Sequence, residues 1–137
     1  MKKKKKVIKV DKKKILKRLE VYLDHSNIGM TKDQYLEMCE QTGEEIDWDR
    51  CPPNIEDFPE IVVDSLNIYN SLGSRIFPDV GYTGKDYCNF DFLLDLYKIE
   101  HHNKEFLMEI MLILESRDIK ASQQQIKAEY DKIKSKK

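Results

Sequence analysis

Between residues 57 and 73 the chain spells one helix with both ends marked. Asp57 can cap its N-terminus, Pro59 sits in the first turn where a missing N–H costs nothing, and Glu60 completes a capping box. Phe58, Ile61, Val62, Leu66, Tyr69 and Leu72 fall on one face at helical spacing, and Val63 and Ile68 widen the apolar arc. An arc that wide places the helix at the centre of a core. Gly73 supplies the left-handed residue that ends it. Residues 74–87 then read as a long loop with two glycines, one proline and three aromatics. An ordered loop of that length is more often functional than idle. Phe77, Tyr82 or Tyr87 is expected to pack on the helices, with Gly81 and Gly84 making the turns.

The other segments also read as helices. Asp11 caps a first helix to about Ser26, with Ile15, Leu16, Leu19, Tyr22 and Leu23 on one face. Thr31 and Gln34 form a capping box for a second helix that stops at Gly43. Residues 44–56 are acidic and broken by Pro52-Pro53, so they read as a loop. Asn89 or Asp86 caps a fourth helix to about Ile99, and Asn103 caps the last and longest one. Phe106, Leu107, Ile110, Met111 and Leu114 form the core part of that last helix. The predicted fold is all-α: a small domain of four or five helices with a long C-terminal helix and a disordered Lys-rich N-terminus. Its predicted segments are a basic tail over 1–10, a helical domain over 11–116 and an extended polar helix over 117–137.

Charge limits the function classes. Residues 1–18 carry 11 basic and 1 acidic side chains, residues 19–116 carry 6 and 21, and residues 117–137 carry 7 and 3. The acidic body repels nucleic acid, whereas the basic ends could attract it, or an acidic protein surface. No apolar run approaches the ~20 residues of a membrane span. The N-terminal lysines lack a following apolar region, which argues against a secretory signal. Three scattered cysteines suit a reducing compartment rather than a disulfide framework.

Past Ser116 the apolar residues thin to Ile119, Ile126 and Ile133 at seven-residue spacing, with Tyr130 beside them. A narrow stripe on a Gln- and Lys-rich helix suits one partner helix rather than a globular core. This stripe is the predicted partner-facing surface. Trp48 joins it as a candidate anchor, because Trp is enriched where interfaces concentrate their energy; closing the edge of the core is the competing role.

The candidate chemistry is sparse. Gly81-Tyr82-Thr83-Gly84-Lys85-Asp86 invites comparison with a phosphate loop, but its glycine spacing is short and Asp86 stands where a hydroxyl is needed. Two glycine turns that let Tyr82 and Tyr87 pack explain the stretch better. His101-His102 are adjacent, and adjacent side chains on a helix end do not converge on one metal. Abundant carboxylates do not make an acid–base site without a cleft and shifted pKa values. No catalytic residue, metal or cofactor is therefore assigned.

Met30-Thr31-Lys32-Asp33-Gln34-Tyr35-Leu36-Glu37-Met38-Cys39-Glu40 resembles the opening of small helical proteins of tailed bacteriophages. Pro52-Pro53, Asp57-Phe58-Pro59, Ile68-Tyr69-Asn70-Ser71-Leu72 and Gly84-Lys85-Asp86 match the segments that follow in that family. The resemblance covers residues 30–137. It implies a phage protein of the host cytoplasm, similar to tail-assembly chaperones in size, acidity and helicity. The function expected is a non-catalytic protein-binding factor, an assembly chaperone or adaptor in virion assembly. It would meet its partner through Ile119, Ile126, Tyr130, Ile133, Trp48, Tyr82 and Lys85, with homo-oligomers allowed and no membrane involved. The alternative is a nucleic-acid-associated factor that uses the basic N- and C-terminal segments.

Overall fold

The computed structural model describes residues 11–136. They form two compact units, one ending at Pro59 and the other beginning at Glu60. The expected tail over residues 1–10 lies outside the described residues.

The first unit is a helix pair with a tied-down loop. Asp11 accepts the backbone N–H of Lys14 and starts α1 (Lys12–Ile28), which Gly29 ends at φ 74°. Thr31 and Gln34 form the expected capping box on α2 (Lys32–Thr42), and Gly43 closes it at φ 75°. The left-handed conformation at both stops is one that glycine adopts without a steric penalty. Residues 44–54 carry no regular element, yet they are held. The Arg18 guanidinium donates to the carbonyls of Trp48, Asp49 and Cys51 at 3.0, 3.3 and 2.9 Å. A short 3-10 turn (Ile55–Asp57) follows. Asp57 was expected to cap the next helix. Instead it turns back, accepting from the Asn54 N–H at 3.0 Å and pairing with Lys32 at 3.3 Å. The Asn54 N–H, and secondarily Lys32, hold its carboxyl below the usual aspartate range.

The second unit joins three helices and a ribbon: α3 (Glu60–Ser71), β1 (Gly73–Phe77), β2 (Gly81–Asp86), α4 (Phe90–Leu96), a 3-10 turn (His101–Asn103) and α5 (Lys104–Ser135). Val62, Ser65, Ile68, Tyr69 and Leu72 are buried along α3 and its exit. They meet Phe106, Leu107, Ile110, Met111 and Leu114, the expected core of α5. Val62, Tyr69 and Leu72 of the expected face are buried, as is Ile68 of the wider arc. Leu66 is only half-buried, while Ile68 is fully enclosed. Ser65 can occupy the core because its hydroxyl donates to the Ile61 carbonyl at 2.7 Å, so no buried polar group is left unpaired. Lys98, at φ 53°, stands just past α4 and stops it short of the expected Ile99.

The all-α expectation is corrected at residues 73–86. They form an antiparallel ribbon, with Gly73 opposite Asp86 and Phe77 opposite Gly81. Gly73 opens β1 instead of ending a helix in the left-handed region. The turn chemistry explains the difference. Pro78 fixes the first corner, Val80 N–H donates to Phe77 C=O at 3.2 Å, and Gly81 takes φ 86°. A three-residue connection closed by a left-handed glycine is a standard hairpin loop. Between Ser74 and Ile76 the register slips, so that Thr83 and Gly84 oppose Arg75 alone. Gly84 takes φ 127° at this bulge.

Candidate protein interface

The hairpin is fastened to α5 along one edge. The Tyr82 N–H donates to Ser122 Oγ at 3.1 Å, and the Lys85 N–H donates to Glu115 Oε2 at 2.7 Å. Backbone donors that would otherwise be bare are thereby satisfied by a helix seven residues long between its two acceptors, about two turns. The two glycines make room for this approach. A Cβ on Gly81 would lie 2.5 Å from Ile126 Cδ1, and one on Gly84 would lie 2.8 Å from Glu115 Oε2.

A polar cluster completes the attachment. Tyr69 donates to Asp118 Oδ2 at 2.5 Å, and its oxygen lies 3.1 Å from the Tyr82 hydroxyl. Tyr69 has one proton and an ionised carboxylate only accepts, so Tyr82 donates to Tyr69. Burial first, then Asp118 and Tyr82, push the Tyr69 hydroxyl far above its ordinary range. Burial also raises Tyr82 and Tyr87. Lys85 Nζ sits 4.5 Å from the centre of the Tyr69 ring and reaches the Leu72 carbonyl and Ser74 Oγ, each at 3.4 Å. The cation over the ring and the hydrogen bonds fix the lysine stem against the strand. Tyr87 packs edge-on against Phe90 with centroids 5.3 Å apart, and its buried hydroxyl has no hydrogen-bond partner among the described residues.

The residues expected to face a partner therefore separate into groups. Tyr82 and Lys85 are engaged within the second unit. Ile119 and Ile126 are half-buried, and Ile126 lies under the hairpin turn. Tyr130 and Ile133 are 59% and 58% exposed. They continue the face of α5 that the hairpin occupies, since Ser122, Ile126 and Ile133 stand four and seven residues apart. Val80 and Asp79 on the turn, with Ile126, Lys127, Tyr130 and Lys134 on α5, border an open groove of about 490 Å³. In the first unit, Trp48 is exposed while its backbone is tied to Arg18.

Other apolar side chains are exposed as well, among them Phe77, one of the three aromatics considered for packing on the helices. Ile76 and Phe77 stand out from β1, and Phe92 and Leu96 lie four residues apart on α4. The β1 pair was legible only once the hairpin was recognised. Among the described residues no cluster of three or more His, Cys, Asp or Glu could hold a metal, and no helix is long and apolar enough to cross a membrane. Comparison with protein-family models, curated proteins and solved structures finds no match for the chain.

Proposed function

We propose that the chain is a non-catalytic protein-binding factor of a tailed bacteriophage, an assembly chaperone or adaptor acting in the host cytoplasm. Its partner engages the far end of α5. The observation that carries the reading is the exposure of Tyr130 and Ile133 on the face that the hairpin covers two turns earlier. Leaving them in water forgoes the ~25 cal/mol per Å² that covering apolar surface returns. A helical partner laid along the groove would cover them together with Val80. The polar cluster supports a structural rather than a chemical role. Tyr69, Asp118, Tyr82 and Lys85 are engaged with one another, and the raised Tyr69 hydroxyl is a poor base or nucleophile. The phage setting rests on the resemblance of residues 30–137.

The test uses the tagged full chain and a Tyr130→Ser/Ile133→Ser variant, each expressed during phage infection. Both side chains are exposed, so the variant should keep its helical circular dichroism. The expected result is one phage or host protein recovered with the full chain and lost with the variant. Equal recovery with both would overturn the reading. A salt-sensitive shift of DNA or RNA, with no protein recovered, would favour the nucleic-acid alternative instead.

A further inference from the structure

The ribbon has one sealed edge and one open edge. Tyr82 and Lys85 direct their N–H groups away from β1, toward Ser122 and Glu115. Their cross-strand neighbours are Ile76 and Ser74. In an antiparallel ladder, the two residues of a non-hydrogen-bonded pair both point their backbone groups outward. Ile76 and Ser74 therefore present their N–H and C=O groups on the opposite side. All five residues of β1 are exposed, and among the described residues only β2 pairs with it. Natural proteins usually blunt such an edge. Here the hairpin is clamped from behind by α5 and the edge is held out.

We propose that β1 is a receiving edge for strand addition, and that its occupant is an extended acidic segment of a partner protein. This deepens the protein-binding reading, on which it rests, by adding a second surface to the α5 groove. Two donors and two acceptors on Ser74 and Ile76 supply the ladder, and the exposed Ile76 and Phe77 side chains supply apolar contact on either face. The charge of the occupant follows from Arg75, which lies between them and is exposed. A residue added opposite Arg75 occupies a non-hydrogen-bonded pair, where side chains come closest. A carboxylate there is favourable and a cation is not.

The same geometry disfavours a second copy of the chain. Full antiparallel overlap of β1 with itself sets Arg75 against Arg75. Centring the pair on Ile76 instead places Pro78, which has no N–H, opposite Ser74. Centring it on Ser74 requires Leu72, just past the α3 helix, to join the ladder.

The experiment measures binding of two fluorescent octapeptides to the full chain, one alternating Val with Glu and one alternating Val with Lys. The Val/Glu peptide should bind saturably, and about five-fold or more tighter than Val/Lys, the scale of one cross-strand charge pair. Arg75→Glu should invert that preference. Ile76→Pro should abolish binding while leaving the hairpin intact, because the N–H it removes points outward. The Tyr130→Ser/Ile133→Ser variant should bind the peptide as the wild type does, which separates failure here from failure of the α5 groove. No saturable binding up to millimolar peptide, equal binding of both peptides, or insensitivity to Ile76→Pro would overturn the proposal. Dimerisation in sedimentation that Ile76→Pro abolishes would replace the foreign strand with a second copy.

Discussion

Glu115 Oε2 accepts the Lys85 N–H at 2.7 Å, and the same oxygen lies 2.8 Å from where a Cβ on Gly84 would stand. The contact therefore exists only while residue 84 is glycine. Its φ of 127° adds a backbone reason, because L side chains rarely adopt that conformation. Gly84→Ala is expected to cost about 2 kcal/mol or more, from backbone strain and the displaced carboxylate together. Chemical denaturation measures the loss. Amide hydrogen exchange should locate it at Lys85 and Tyr82. An unchanged midpoint would mean that Glu115 is not holding the strand.

The Tyr69 cluster should behave as a fastening for the hairpin. Tyr69→Phe keeps the ring under Lys85 but removes the hydrogen bonds to Asp118 and Tyr82. A loss of about 1–2 kcal/mol is expected, on the scale of a hydrogen bond to a charged group. Tyr69→Phe combined with Asp118→Asn should cost less than the two single losses added, because both delete the same bond. Strict additivity in that double-mutant cycle would count against the pairing.

The α3 helix gives a paired test of which face is buried. Ile68 is fully buried and Leu66 is not. Ile68→Asp buries an unpaired carboxylate and should unfold the second unit. Leu66→Asp can direct its charge toward water and should leave a cooperative, lower-melting fold. Circular dichroism melts of the two variants decide the matter. A reversed order would contradict the burial of Ile68.

These residues show where sequence reasoning succeeded and where it stopped. Helix ends with a local chemical signature were legible: Asp11, the Thr31–Gln34 box and Gly43 all act as expected. The Phe106–Leu114 core was legible because five large apolar residues at helical spacing have one way to be buried. Asp57 was misread because two donors, Asn54 N–H and Lys32, compete for the same carboxylate, and nothing in the local sequence ranks them. The hairpin was missed because its strands are short and their alternation is interrupted by a bulge. Yet Phe77-Pro78-Asp79-Val80-Gly81 carries a hairpin signal in its proline and glycine positions. The clamp itself depends on partners 30 to 49 residues apart in the chain. No local pattern encodes such a distance.

High pH should loosen the second unit. Tyr69, Tyr82 and Tyr87 all have hydroxyl pKa values raised by burial. A raised folded-state value means that the folded chain keeps protons which the unfolded chain gives up. The stabilisation is complete below the ordinary tyrosine value of about 10 and is lost as pH rises beyond it. The melting temperature should therefore be flat with respect to these groups near neutrality and fall above about pH 10. Tyrosinate absorbance should grow together with unfolding rather than before it. Free titration of all seven tyrosines in a still-folded chain would contradict the burial.

The position at which α5 is cut should decide between two opposite outcomes. A helical domain bounded at residue 116, as the sequence reading has it, would let a chain ending at Ser116 fold. The structure places three of the hairpin's supports beyond that point: Asp118, Ser122 and Ile126. A chain ending at Ser116 keeps Glu115 at a fraying terminus and loses the rest. Its hairpin should detach, exposing the backbone donors of Tyr82 and Lys85 and leaving Tyr69 buried without its carboxylate. A chain ending at Ala128 keeps every one of these contacts. Every described residue that it loses is exposed, so its stability should fall by no more than the fraying of one terminal turn. The Ala128 truncation should also lose Tyr130 and Ile133, and with them the partner proposed for the groove. Thermal melts and hydrogen exchange of both truncations check the structural half, and partner recovery checks the other. Equal stability of the two chains would show that α5 beyond Ser116 does not support the hairpin, and the clamp would have to be abandoned.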